Sequence, residues 1–184
     1  MVERTYRAFI AVEFPHSVVK EVSHVQEVLA KWKFTGKITE LENLHLTLKF
    51  LGEIEERKLE EVGKKLKEIK MDKFEVRLKS IGLFSFRGNP RIVWIKVGGK
   101  GIFELQKRSD EVLIELGVKP ESRFMSHMTI ARIKYVKDKE GFRKYVEGMG
   151  LKEVKFTINN FKLKTSELRA IGPIYRDIGE YSLE

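Results

Sequence analysis

Two strings of one form, His45-Leu46-Thr47-Leu48 and His127-Met128-Thr129-Ile130, stand 82 residues apart, each inside an apolar run. They constrain the fold more than any other feature. Alternate side chains of a strand share a face. His45 and Thr47 therefore point one way together, and so do His127 and Thr129. The chain has only four histidines, so the recurrence of this step takes up half of them. Around each string runs the same order of elements: strand, helix, His/Thr strand, helix, strand.

In the first half the periodicity predicts a strand over Thr5–Glu13 and a helix from Pro15 and His16 to Lys33, with Val18, Val22, Val25, Leu29 and Trp32 at helical spacing. A loop holding Gly36 follows, then a strand over Leu44–Leu51 closed by Gly52. A charged helix over Glu55–Lys70 and a strand over Lys73–Ile81 complete the half. In the second half a turn at Gly88-Asn89-Pro90 leads to a strand over Arg91–Val97, and a helix over Gly101–Leu116 ends at Gly117. Next come a strand over Met125–Ile133, a helix over Asp138–Glu147, a strand over Val154–Leu163 and a last one over Tyr175–Ser182. The repeat, about 5–81 and 91–163 plus a C-terminal strand, is an internal duplication, too long for a solenoid unit. It predicts one domain over 1–184 with two lobes related by a pseudo-twofold axis. Helices cover one face of each sheet and leave the other free for a cleft.

Composition narrows the chemistry. There are 36 Lys and Arg against 27 Asp and Glu, a formal net charge of +9, which favours polyanionic partners such as nucleic acid or nucleotides. With no cysteine, a thiol nucleophile, a disulfide framework and Cys-ligated zinc are all excluded. No apolar run approaches the ~20 residues needed to span a bilayer. The first residues lack the apolar core of a signal peptide, and a cytoplasmic location is expected.

Two histidines facing each other can share acid–base work, since one can hold a proton while the other is free to take one. Phosphodiester cleavage through a 2′-hydroxyl, or hydrolysis of a 2′,3′-cyclic phosphate, needs that division: one group removes a proton from the nucleophile and the other gives one to the leaving oxygen. Each threonine hydroxyl, two residues on, can donate a hydrogen bond to a phosphate oxygen. A lone histidine in an apolar strand is ordinarily a hydrogen-bonded core residue. The pairing of His45 and His127, each with a threonine at one offset, argues against that for these two. His16 and His24 fall on the first helix and read as surface residues. Metal binding would call for a third histidine or carboxylates, and Glu42 before the first motif has no counterpart at the second. No Gly-x-Ser-x-Gly, phosphate-binding Gly-x-x-x-x-Gly-Lys-Ser/Thr or Rossmann glycine string is present.

The longer strings carry a resemblance. Arg7-Ala8-Phe9-Ile10-Ala11-Val12, Glu42-Asn43-Leu44-His45-Leu46-Thr47-Leu48-Lys49-Phe50-Leu51-Gly52, His127-Met128-Thr129-Ile130-Ala131-Arg132 and Gly172-Pro173-Ile174-Tyr175 resemble the bacterial and archaeal 2′-5′ RNA ligase, or RNA 2′,3′-cyclic phosphodiesterase, branch of the two-histidine phosphoesterases. The resemblance implies an α+β fold of two pseudo-symmetric lobes, each an antiparallel sheet with helices outside, facing a central cleft. It implies a monomer that acts on RNA with 2′,3′-cyclic phosphate ends (tRNA among them) or on cyclic nucleotides, with no cofactor, metal or membrane. His45 then protonates the leaving 3′ oxygen, His127 activates water, and Thr47 and Thr129 bind phosphate. Arg132, five residues past the second histidine, contacts phosphate, and Phe50, five past the first, stacks on a nucleobase. Simple alternation sends Arg132 and Phe50 to the face opposite their histidines, so a bulge or strand end must re-aim them. Met125-Ser126 stands where relatives often carry proline, which implies a local backbone difference. Two alternatives remain open: an ATP-independent 2′-5′ RNA ligase joining cyclic phosphate and 5′-hydroxyl ends, and a non-catalytic RNA-binding module.

Overall fold

A computed structural model describes residues 4–169 and 172–184. Nine strands and four α-helices follow in the order β1 (Thr5–Glu13), α1 (His16–Leu29), β2 (Thr35–Ile38), β3 (His45–Glu55), α2 (Glu56–Leu66), β4 (Phe74–Phe86), β5 (Asn89–Gly98), α3 (Lys100–Ile114), β6 (His127–Tyr135), α4 (Lys139–Glu147), β7 (Lys155–Ile158), β8 (Asn160–Arg169) and β9 (Gly172–Ser182). A short 3₁₀ turn, Leu41–Asn43, leads into β3. The order across the sheet is β7-β4-β5-β6-β3-β1-β8-β9, with β2 added at the edge of β6, and every pairing is antiparallel.

The fold is α+β, and the curled sheet falls into two matching halves. β3-β1-β8-β9 corresponds strand for strand to β6-β5-β4-β7. The spatial halves do not follow the chain halves. After α2 the chain delivers β4 to the half built on β6, and after α4 it delivers β8 to the half built on β3. The β3–β6 ladder that joins the halves is a single residue pair, Leu46 with Met128. Both residues are fully buried, with Ile10, Leu48, Ile95 and Ile130, in one core under both halves. Each such side chain contributes roughly 1.5–3 kcal/mol of burial.

The helices lie on the core face of the sheet. Val18, Val22, Val25 and Leu29 of α1 are buried, while His16 and His24 are exposed. Asp138 caps α4 by accepting from the Gly141 amide at 2.9 Å. No helix among the described residues is long and apolar enough to cross a membrane.

Several boundaries differ from the sequence reading; strand β4, for one, runs on to Phe86, past the expected end at Ile81. Helix α1 stops at Leu29, short of Lys33, where Trp32 turns to pack on Phe142 and Tyr145 of α4. The supposed loop at Gly36 is strand β2, and a Cβ there would collide with the Arg132 carbonyl oxygen, so glycine is what lets β2 approach β6. The turn expected at 88–90 lies at Arg87 and Gly88, whose φ angles of 49° and 73° suit a two-residue hairpin turn; Asn89 and Pro90 already belong to β5. The run Val154–Leu163 is two strands, β7 on the edge of β4 and β8 beside β1, because the chain crosses between halves at Asn159.

Candidate active site

The pairing of Leu46 with Met128 determines what stands beside it. On an antiparallel pair, His45 falls opposite Thr129 and Thr47 opposite His127. All four lie on the face away from the buried Leu46 and Met128, and all four are partly exposed. His45 and His127 are diagonal positions, which in a regular ladder lie about 7–8 Å apart.

Both imidazoles are held alike. His45 Nδ1 donates to the Asn43 carbonyl at 2.7 Å, and His127 Nδ1 donates to the Met125 carbonyl at 2.7 Å. A carbonyl can only accept, so in each ring Nδ1 carries a hydrogen. Nε2 is left as the nitrogen that exchanges protons. The Met125-Ser126 segment serves this second anchor: Ser126 Oγ donates to the Val97 carbonyl at 2.7 Å, and the Val97 amide to the Ser126 carbonyl at 3.1 Å.

Each histidine strand carries a bulge three residues past its histidine. On β3, Thr47 pairs with Ala11 and Lys49 with Ile10, leaving Leu48 unpaired. On β6, Thr129 pairs with Trp94 and Ala131 with Val93, leaving Ile130 unpaired. Consecutive residues are buried at both places, Leu48 with Lys49 and Ile130 with Ala131. The extra residue flips the alternation, so Phe50 and Arg132 return to the histidine face. Phe50 is 66% exposed, and its ring lies 6.3 Å from that of Phe9. Arg132 is exposed, and its guanidinium has no hydrogen bond or ion pair among the described residues.

Around the histidines the halves diverge. Phe9 lies 5.0 Å from the His45 ring, and Tyr175 meets that ring edge-on at 5.1 Å. Phe84 of β4 meets His127 edge-on at 5.2 Å. Glu13 pairs in register with His45, whereas Lys96 pairs with His127. Glu13 is bound up with Asp177, Lys162 and Lys164: Lys162 donates to both carboxylates at 2.7 Å, and the buried Lys164 to Glu13 and, at 2.6 Å, to Asp177. Burial works to raise the Glu13 carboxyl, but the two lysines together hold it below the ordinary carboxylate range.

Burial is also the main influence on His45, and it pushes the imidazole below its usual pKa. The Asn43 carbonyl opposes this, the Lys164 and Arg132 charges add to it, and Glu13 opposes it weakly. Burial raises the Tyr175 hydroxyl, with Arg132 acting against it. Arg132 thus acts electrostatically on both His45 and Tyr175, although it is carried on the His127 strand.

A sequence profile described as LigT-like phosphoesterase matches residues 12–94 and 96–175, and each matched stretch holds one His-x-Thr-x string. The chain belongs to this family. Among relatives of the phosphoesterase is the RNA 2′,3′-cyclic phosphodiesterase of Methanocaldococcus jannaschii, 35% identical over 179 residues, covering 95% of this chain and 99% of that one. The protein of the same description from Thermotoga maritima is 33% identical over 183 residues, covering 97% and 96%. Of solved structures, TT0787 of Thermus thermophilus superposes with a TM-score of 0.77 at 26% identity, covering 96% of this chain and 97% of that one. E. coli LigT complexed with 3′-AMP superposes at 0.75 with 22% identity, covering 98% and 99%, a likeness of fold.

The phosphoesterase face therefore gathers all six residues singled out in the sequence: His45, Thr47, His127, Thr129, Arg132 and Phe50. Sequence reasoning missed Phe9, Phe84, Lys96, Lys164 and the ring contact of Tyr175. Tyr175 stood in a quoted string without a role, and Phe84 lay past the assigned end of its strand. Among the described residues no three His, Asp or Glu side chains cluster so as to hold a metal ion.

Proposed function

We propose that this phosphoesterase opens the 2′,3′-cyclic phosphate at the end of RNA to a 2′-phosphate, with His45 as acid and His127 as base. One observation carries the reading: two imidazoles on one face, each fixed through Nδ1 to a backbone carbonyl, so that only Nε2 exchanges protons. In the step, a water oxygen attacks phosphorus while its proton passes to His127 Nε2. The bond from phosphorus to the 3′ oxygen breaks, and that oxygen takes the proton from His45 Nε2. Thr47, Thr129 and Arg132 hold the non-bridging oxygens as negative charge grows on them. Phe50 stacks on the terminal base. A lowered pKa makes the His45 imidazolium a ready donor, and phosphate binding supplies the negative charge that favours its protonation beside Arg132 and Lys164.

In this reading the enzyme is a cytoplasmic monomer that needs no cofactor. Neither motif carries a carboxylate between its histidine and its end, which supports metal-free chemistry. With a 5′-hydroxyl in place of water, the same groups would join two RNA ends.

The test is an oligonucleotide ending in 2′,3′-cyclic phosphate, incubated with EDTA present, with end-group analysis of the product. A 2′-phosphate is expected. A 3′-phosphate reverses the two roles, a joined product establishes the ligase, and binding without turnover leaves an RNA-binding module.

A further inference from the structure

The face that carries His127 continues outward along β4. Phe84, edge-on to His127, is also packed against Trp94 with ring centres 5.3 Å apart. The ladder slips between Phe84 and Ser85, but the extra residue, Arg91, lies on β5, so β4 keeps its own alternation and Phe86 stands on the face of Phe84, ~6.8 Å further along the strand. Phe86 is 61% exposed and lies outside the core cluster. The Arg87 guanidinium carbon sits 5.2 Å over its ring. Phe86 pairs with Asn89 across the two-residue turn, so ring and guanidinium stand on a short, strand-borne tip rather than on a long loop. An exposed phenylalanine at a hairpin tip contributes nothing to this core. A planar apolar ring beside a guanidinium is the combination on which unpaired nucleobases stack. The end of β8, the strand that corresponds to β4, exposes Leu168 and Arg169 among its described residues, with no aromatic ring. The feature belongs to one wall of the cleft.

We infer that Phe86 and Arg87 form a second base-stacking position, for the nucleotide that precedes the cyclic end of a single-stranded RNA. The inference rests on the phosphodiesterase reading. Phe50 stands on the His45 strand, where the terminal ribose must present its 3′ oxygen, and serves the terminal base. Phe86 stands on the opposite wall, beyond His127. A base there belongs to another nucleotide, and a strand entering the cleft presents its penultimate base next. The site thereby prefers RNA ends to free cyclic nucleotides.

The test compares a 2′,3′-cyclic mononucleotide with a dinucleotide ending in 2′,3′-cyclic phosphate. Phe86→Ala should raise KM for the dinucleotide by about tenfold, the loss of one base–aromatic stack. Its kcat and the mononucleotide KM should hold, and Phe86→Trp should restore dinucleotide capture. Arg87→Ala should weaken the dinucleotide less. Equal shifts for both substrates, or none for either, overturn the inference. Calorimetric binding of 2′-phosphate-ended mono- and dinucleotides to the full chain gives a reading that needs no turnover. A dinucleotide preference that Phe86→Ala abolishes supports the stacking position even where turnover is absent, in which case only the phosphodiesterase reading falls. Turnover with no chain-length preference removes the stacking position and leaves that reading intact.

Discussion

Replacing Arg132 by alanine isolates its proposed phosphate contact from the scaffold. The guanidinium is exposed and has no partner among the described residues, so its removal breaks no internal bond, and the thermal midpoint should stay within about a degree of wild type. A hydrogen bond to a charged group is worth about 1.5–3 kcal/mol net, and each 1.4 kcal/mol is about tenfold, so kcat/KM for a cyclic phosphate end should fall about 10- to 150-fold. A second readout follows from electrostatics. Burial holds His45 below its ordinary pKa, with the Lys164 and Arg132 charges adding to the effect. In the free protein His45 should therefore take up its proton only below the usual midpoint near pH 6.5. Losing Arg132 takes away one of these cations, and the midpoint should move up. The ring-proton NMR titration of His45, recorded with steady-state kinetics and a melting curve, reads all three quantities. Arg132→Lys keeps the cation but not the two-pronged donor, so it should leave His45 low and recover only part of the rate. A drop in rate with a loss of melting temperature and an unmoved His45 would make Arg132 a structural residue and refute the reasoning.

Two further outcomes test the acid–base assignment and the scaffold. Losing either histidine should cost at least ~10²-fold. A cyclic phosphate with a good 3′ leaving group should restore His45→Ala but not His127→Ala, and rescue of His127→Ala instead would reverse the roles. Lys49 and Asp110, with side chains 4% and 9% exposed and 2.5 Å apart, tie β3 to α3, and Asp110 also accepts from Gln106 at 2.6 Å and the Glu121 amide at 2.8 Å. Asp110→Ala should cost about 3–5 kcal/mol in urea unfolding by stranding a buried lysine, whereas Lys49→Met with Asp110→Leu should recover most of it; a cost under about 1 kcal/mol would show that the pair is not buried in solution.

The parts of the site legible in the sequence are those governed by strand periodicity. His45 with Thr47 and His127 with Thr129 follow from a two-residue repeat among apolar neighbours. The positions of the bulges did not show in the pattern, although Phe50 and Arg132 required a bulge or strand end. On β3 the reason is Lys49. A lysine in an apolar strand reads as a solvent-facing residue, but Asp110, far along the chain, draws it inside, and Leu48 and Lys49 are buried in succession. Strand β2 was illegible for a related reason: Thr35-Gly36-Lys37-Ile38 has no strand signal of its own and is recruited by the open edge of β6. The division of 154–163 depends on which edges lie free, a property of the assembled sheet. Ring contacts such as Tyr175 with His45 depend on curvature that no local pattern carries.

The matching halves also explain why the site needs unequal side chains. Register equates Glu13 with Lys96, Ala11 with Trp94, and, past the bulges, Phe50 with Arg132. The backbone alone presents two imidazoles on equal terms. A cyclic phosphate is not symmetric, since only one of its ester oxygens leaves while the other keeps the phosphate. Between two identical walls it would bind in two orientations of equal energy, and one of them would place the wrong oxygen beside the proton donor. Placing an apolar ring at one of the paired positions and a guanidinium at the other removes that degeneracy. Under the proposed assignment the base stacks toward Phe50, the phosphate turns toward Arg132, and His45 meets the oxygen that departs. In the proposed reaction the choice of 2′-phosphate over 3′-phosphate is thus made at Phe50 and Arg132, outside the two motifs that perform the proton transfers.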